Sequence, residues 1–257
     1  MSNAVRIHAT GGPEVLSWEA VDVGEPGPGE VRIRHTAVGL NYIDTYHRSG
    51  LYPLELPSGI GMEASGVVAA VGPGVADLAV GDRVAYASGP LGAYAEARLM
   101  PADRVVRLPD GIDERTAAAA LLKGLTAWYL LRRTYRVKAG ETILFHAAAG
   151  GVGLIACQWA KALGATVIGT VGSEAKAELA RSHGCDHVID YRREEVAERV
   201  REITDGAGVP VVYDGVGKDT WAGSLDSLAR FGLMVSFGNA SGAVPPIAPV
   251  ELSVKGS

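Results

Sequence analysis

The residues Ala147 to Gly153, AAAGGVG, lie between the apolar run Ile143 to Phe145 and a helical pattern that begins at Val152. A strand that breaks into a glycine turn and then a helix suits a dinucleotide pyrophosphate, because bare backbone lets phosphate oxygens reach the N–H groups at the helix start. The fingerprint G-x-G-x-x-G maps onto Ala148, Gly150 and Gly153, with alanine in place of the first glycine. Downstream, Val152, Ile155, Ala156, Trp159, Ala160 and Leu163 recur at helical spacing, Gly164 supplies a stop, and Thr166 to Val171 reads as the next strand. Strand, turn, helix and strand in that order separate this stretch from a glycine turn that only joins two elements.

The end of that second strand decides which dinucleotide fits. An NAD site carries an acidic side chain there, about 20 residues past the glycines, for the ribose hydroxyls. Here the strand ends in Thr170, Val171, Gly172 and Ser173, with no carboxylate in the strand itself. Removing that carboxylate removes its repulsion toward a 2′-phosphate. Ser173 is placed to cap a helix whose N-terminus favours anions, and Lys176 follows one turn in. Tyr191, Arg192 and Arg193 follow the third strand, whose end lies beside the second strand's end in this topology, so they could close the same anion pocket. Glu174 opposes an anion there, and Lys176 and Glu174 are also ordinary solvated helix residues by type. The absent acid is the firmer observation, and it favours NADPH over NADH.

These residues need a scaffold, and the chain supplies one. With 257 residues, 47% hydrophobic and 21% charged, it has the composition of a globular protein of up to two domains. The net charge of −5 gives nucleic acid or an anionic membrane no electrostatic footprint, so small molecules are the expected partners. Cys157 and Cys185 read as two thiols in unrelated contexts, with no disulfide framework, which fits a reducing compartment. The amino terminus has no long apolar core, and the run Ala117 to Leu122 is cut by Lys123 well short of a membrane span. A cytoplasmic location is expected.

Up to about Asp110 glycine and proline punctuate short β-type segments, such as Val31 to Val38, Gly66 to Val71 and Asp82 to Ala87. A helical, alanine-rich segment from Asp113 through Leu131 then gives way to alternating strands and helices, the signature of a parallel sheet. The boundary falls near residues 111–125. Strands are expected near Thr142 to Phe145, Thr166 to Val171, His187 to Asp190, Val209 to Tyr213 and Gly232 to Phe237. Apolar stripes of Val196, Val200 and Ile203, and of Leu225, Leu228 and Ala229, mark helices between them. A sixth strand of a doubly wound sheet would start at about Lys255.

The segments NYIDTYHRSGLY (Asn41 to Tyr52), LLKGLTAWYLLRRTY (Leu121 to Tyr135), FHAAAGGVGLIACQWAKALGA (Phe145 to Ala165) and VSFGNASG (Val235 to Gly242) closely resemble the NADPH-dependent quinone oxidoreductases. These form the zinc-free, zeta-crystallin-like branch of the medium-chain dehydrogenases. The resemblance covers the chain from about Gly11 onward. It implies an α/β protein in which a GroES-like, β-rich catalytic domain, residues 1–120, precedes a doubly wound Rossmann domain, residues 121–257. It also implies that Gly150, Gly151, Val152 and Gly153 hold the pyrophosphate and that Lys176 and Tyr191 hold the 2′-phosphate. Thr126 and the segment Phe237, Gly238 and Asn239 would contact the nicotinamide half.

Where zinc-dependent relatives carry a cysteine segment and a Gly-His-Glu motif, this chain has Asn41 with no cysteine nearby and Gly61, Met62 and Glu63. His183, Cys185 and His187 have metal-like spacing, but Gly184 breaks the helix and no fourth ligand is apparent, so no metal site is expected. Without a Lewis acid, alcohol oxidation fits poorly, whereas a quinone or conjugated enone accepts hydride given orientation and a donor for the developing oxyanion. Tyr46 and Tyr52, from the loop preceding the zinc-motif position, are the expected donors, with Asn41 orienting substrate or nicotinamide. Tyrosines there also serve as packing residues with satisfied hydroxyls, and Asp44 and His47 suit the local turn.

The family continues past Lys255, Gly256 and Ser257 with a last Rossmann strand that pairs across a homodimer, then returns to the catalytic domain. The expectation from this chain is a sheet with an exposed edge and an incomplete first core. Three functions stay open: NADPH-to-quinone hydride transfer, reduction of an enone or alkenal, and a truncated, non-catalytic NADPH-binding or structural protein.

Overall fold

The computed structural model describes residues 1–254, and the expected sixth strand at Lys255 lies outside the described residues. The chain divides into two compact units, Met1–Leu122 and Lys123–Ser257.

The first unit is β-rich. Strands β1 (Ser2–Ile7), β2 (Ser17–Val21), β3 (Glu30–Gly39), β4 (Ser58–Gly59), β5 (Glu63–Val71), β6 (Arg83–Ala87), β7 (Ala97–Pro101) and β8 (Val106–Arg107) form two sheets, of order β2-β1-β4 and β7-β3-β5-β6-β8. All pairings in both are antiparallel. Period-two alternation on β3 turns Val31 and Ile33 inward, where they join Ala64, Val68, Val84, Tyr86 and Met100 in one core. Helix α1 (Tyr42–Ser49) leaves the end of β3 and stops at Gly50, whose φ of +82° is left-handed.

Helix α2 (Glu114–Tyr129) runs into a π-helical turn at Leu130–Thr134. The expected helix through Leu131 therefore changes its hydrogen-bond pattern at Leu130, where two fully buried leucines, Leu130 and Leu131, join the core of the second unit.

The second unit alternates β9 (Thr142–Phe145), α3 (Gly151–Ala162), β10 (Thr166–Val171), α4 (Glu174–Ser182), β11 (His187–Asp190), α5 (Val196–Ile203), β12 (Val209–Asp214), α6 (Trp221–Ser227) and β13 (Leu228–Ser236), with α7 (Pro249–Val254) last. The sheet order is β11-β10-β9-β12-β13, all parallel, which is the doubly wound order 3-2-1-4-5. Both faces are covered. Ile143, Phe145, Val167, Val211 and Tyr213 pack on one side with Ala156, Cys157 and Ala160 of α3, while Leu144, Ile168, Ile189 and Val212 pack on the other with Val200 of α5. Small residues on α3 let its backbone approach the sheet closely.

Three sequence expectations shift. β13 starts at Leu228 rather than Gly232, because pairing with β12 resumes at Val209↔Leu228 on the far side of an irregularity. That irregularity lies at Pro210, which has no N–H to give the ladder, and Phe231 on β13 takes a φ of +61°. Leu228 and Ala229 accordingly belong to a strand and not to the helix stripe. Cys157 and Cys185 share one core, so their contexts are not unrelated; both are free cysteines. No described helix is long and apolar enough to cross a membrane.

Phe145 is 1% exposed, with its ring centroid 5.5 Å from Tyr213 and 5.8 Å from Phe237. Phe145→Ala is expected to cost about 3–5 kcal/mol, read as a lower urea midpoint at unchanged slope.

Candidate functional site

In the second unit the backbone does most of the positioning. β9 ends at Phe145, the chain turns through Ala147, which takes a φ of +53°, and α3 begins after Gly150. Gly150 is the N-cap and no side chain caps the helix, so the first-turn amides are presented to a ligand anion. A Cβ on Gly153 would lie 2.5 Å from the carbonyl oxygens of both Ala147 and Ala148, so only glycine permits this close return of the helix on its own loop. The left-handed residue is Ala147, one position before the alanine that maps onto the fingerprint's first glycine. Lys123, which ends the apolar run Ala117 to Leu122, lays its side-chain methylenes along Gly151, 2.9 Å from where a Cβ would stand. No sequence signal pointed to it, since it is remote from the glycines in the chain.

The carboxyl end of β10 lies beside that of β11, with Val171 opposite Asp190 and the Tyr191 N–H donating to the Val171 carbonyl at 3.1 Å. The Tyr191 hydroxyl stands over Gly172, in the space a Cβ there would take. Ser173 caps α4, its Oγ accepting from the Lys176 N–H at 3.4 Å, and the Lys176 side chain is exposed. Glu174 is held by Arg181 at 3.1 Å, and Arg193 lies 3.6 Å from Asp190. Ser173, Lys176 and Tyr191 thus lie in the segments that follow the paired strands β10 and β11. Thr126 lies in α2 and is half-buried. Phe237 follows β13, its N–H donating to the Asp214 carbonyl at 2.8 Å, and Asn239 lies near Gly217. The backbone cradle, the uncapped helix and the carboxylate-free strand end together fit a dinucleotide phosphate.

In the first unit two buried carboxylates hold the polar candidates. Glu63, fully buried, accepts from the Asn41 Nδ2 at 2.8 Å and from the Leu122 N–H at 2.7 Å. Asp44, third in α1, accepts from the Asn41 N–H at 2.9 Å, as in a capping box, and from the Tyr94 hydroxyl at 2.7 Å. Burial and the Asp44 carboxylate both push the Tyr94 phenol well above its ordinary range. Asn41 is consequently clamped at backbone and side chain. Glu63, at the position of the third zinc-motif residue, serves as a hydrogen-bond acceptor for Asn41, a role invisible in sequence because Tyr94 and Glu63 are distant from α1 in the chain.

Tyr46 is on the second turn of α1 and not in a loop, and it is 7% exposed. The capping pair starts the helix early enough to include it. Tyr52 follows the helix, with its N–H donating to the Tyr46 carbonyl at 3.1 Å and its ring 5.1 Å from the Tyr46 ring. His47 lies edge-on to Tyr52 at 5.9 Å, and burial pulls its pKa down against the opposing pull of Asp44. His183 caps α4 by its Nδ1 donating to the Leu179 carbonyl at 2.8 Å, while His187 starts β11 and faces solvent. Among the described residues no group of three or more His, Cys, Asp or Glu could hold a metal ion.

Residues 151–257 match the family described as zinc-binding dehydrogenase, and residues 27–110 match the alcohol dehydrogenase GroES-like domain. The chain is 61% identical over its whole length to a quinone oxidoreductase of Pseudomonas aeruginosa, covering 79% of that protein. It is 52% identical to a 2-haloacrylate reductase of Burkholderia, with 100% of the chain and 79% of the relative aligned. The crystal structure of Escherichia coli quinone oxidoreductase complexed with NADPH superposes with a TM-score of 0.97 at 54% identity, over 99% of this chain and 78% of that one.

Glu63→Ala leaves the Asn41 amide and the Leu122 N–H without their buried acceptor. A loss of about 1–3 kcal/mol in unfolding free energy is expected, measured by chemical denaturation.

Proposed function

Because this chain belongs to the quinone oxidoreductases of the medium-chain dehydrogenase/reductase family, we propose that it reduces a quinone with NADPH. The observation that carries the reading is the end of β10, where Gly172, Ser173, Lys176 and Tyr191 stand in place of a ribose-binding carboxylate, beside the uncapped start of α3. Gly150, Gly151, Val152 and Gly153 would hold the pyrophosphate, and Lys176 and Tyr191 the 2′-phosphate. Thr126, Phe237, Asn239 and Asn41 would hold the nicotinamide half. When bound, NADPH supplies the hydride.

The chain's own residues then orient the acceptor and meet the charge that develops on its oxygen. Tyr52 is the proposed hydrogen-bond donor to that oxygen, with Tyr46 supporting it through ring packing as well as serving as the second candidate donor. Asn41 keeps its amide plane by donating one Nδ2 hydrogen to Glu63, and its second N–H is suited to a carbonyl. Residues 1–120 act as the GroES-like catalytic domain and residues 121–257 as the Rossmann domain. Two free, buried cysteines support a cytoplasmic location, and the family relationship supports a homodimer.

A second reading, reduction of a conjugated carbonyl compound at carbon, is supported by the 52% identity to a 2-haloacrylate reductase. The two readings share the NADPH site and differ in the acceptor.

Titration with NADPH and NADH, followed by NADPH oxidation with a benzoquinone and with an enone against buffer controls, tests the proposal. Selective NADPH binding with quinone turnover supports it; binding of NADH in preference, or turnover with the enone alone, overturns it. Lys176→Ala should weaken NADPH binding about tenfold and leave NADH binding nearly unchanged, and equal losses would remove Lys176 from the phosphate site. Tyr52→Phe should lower kcat about a hundredfold with KM for NADPH unchanged. Unchanged quinone turnover in that variant would rule out an essential role for the hydroxyl.

A further inference from the structure

Behind the glycine loop lies a chain of buried polar side chains that the proposed hydride transfer does not use. The His146 Nδ1 is 3.0 Å from Thr170 Oγ1, and its Nε2 is 3.0 Å from Ser224 Oγ. Ser224 Oγ is in turn 2.7 Å from Asp214 Oδ2. His146 is 2% exposed and Asp214 and Ser224 are fully buried, so water does not compete for these bonds. Thr170 Oγ1 also accepts from the Ala147 N–H at 3.3 Å.

The donors and acceptors can be ordered from one end. Asp214 accepts from the N–H groups of Val216 at 2.8 Å and Gly217 at 3.0 Å on Oδ1, and from the Thr220 hydroxyl at 2.7 Å on Oδ2. Burial works against its charge, but the hydrogen bonds it accepts from Thr220, Ser224 and Gly217 hold the carboxyl below its ordinary range, so it is an acceptor only. Ser224 has one hydrogen and gives it to Asp214, so its oxygen accepts from His146, which must carry its proton on Nε2. Burial pulls the His146 pKa down against the pull of Asp214, so the ring is neutral and Nδ1 is an acceptor. Thr170 therefore donates to Nδ1, and its oxygen lone pair faces the Ala147 N–H.

We infer that Thr170, His146, Ser224 and Asp214 form a one-directional hydrogen-bond relay that positions the cofactor loops, with Thr170 as the residue that fixes the left-handed Ala147 peptide. The relay joins the carboxyl ends of β9, β10 and β12. At β10 it stops two residues before Gly172, beside the proposed 2′-phosphate site. At β12 the Asp214 loop carries the next segment, since the Asp214 carbonyl accepts from the Phe237 N–H and Gly217 packs against Asn239. These are positioning residues: none is placed against the cofactor itself. A buried polar chain satisfied at every member holds one arrangement, because any rotation would strand a donor or an acceptor in a site without water.

The inference rests on the NADPH reading, and its test separates the two. Thr170→Val keeps the shape and removes the hydroxyl, while Thr170→Ser keeps the hydroxyl. NADPH Kd is measured by nicotinamide fluorescence for both, and the thermal midpoint is measured alongside. Thr170→Val is expected to raise Kd about tenfold with kcat at saturating NADPH within about twofold of the parent, and Thr170→Ser to bind like the parent. A lower midpoint with unchanged Kd in Thr170→Val means a structural role only and overturns the proposal. Should the parent protein bind no NADPH, the functional reading fails by itself. The relay is read without cofactor from the ¹⁵N spectrum of the His146 ring, where a proton on Nε2 alone supports it and a proton on Nδ1, or on both nitrogens, overturns it. That spectrum decides the matter also if Thr170→Val does not fold.

Discussion

The return of α3 onto the loop that precedes it is the constraint on which the rest of the second unit depends. The helix start must come within reach of the Ala147 and Ala148 carbonyls, and any side chain at Gly153 would prevent it. That approach leaves the first-turn amides uncapped and facing outward, which is unfavourable unless an anion or water receives them. The doubly wound order then brings the ends of β10 and β12 to the same side as this helix start, at the switch point between the two halves of the sheet. The dinucleotide binding proposed for this unit rests on that crowding more than on any single side chain.

The first unit follows a different logic. Its polar residues are held by two carboxylates that are almost wholly removed from water, Glu63 and Asp44. Each is surrounded by donors from several parts of the chain, as a buried charge requires. In zinc-dependent relatives the corresponding segment supplies metal ligands; here the same place in the fold fixes the plane of an amide, Asn41, by hydrogen bonds. Hydride transfer to a quinone asks for an oriented acceptor and a donor to its oxygen, and a clamped amide beside packed tyrosines is suited to that demand.

Much of this was legible in the chain. The alternation of strand and helix from Thr142 onward placed β9, β10 and β11 at their observed limits, because strands buried on both faces and bounded by Gly or Asp turns leave a strong apolar signature. The missing carboxylate after Val171 was visible as a missing letter. The rest was tertiary in origin: Pro210 moved the start of β13 by disturbing a ladder whose partner is set only once the strands pair, and Tyr46 lies in a helix whose start Asp44 fixes by accepting from the Asn41 N–H. The two cysteines looked unrelated, being 28 positions apart in the numbering, yet α3 and the turn after α4 bring them into one core.

By itself, the sequence determined the α/β class, the glycine loop, the carboxylate-free strand end and the absence of the zinc-motif cysteine and histidine, since each depends on residue type and local spacing. Only the tertiary structure decided which groups meet: Lys123 along Gly151, Tyr191 over Gly172, Glu63 on Asn41, and the path from Thr170 through His146 to Asp214. The reason is physical. Helix and strand periods act over a few residues, whereas a buried donor finds its acceptor wherever the packing of sheets and helices leaves one within about 3 Å.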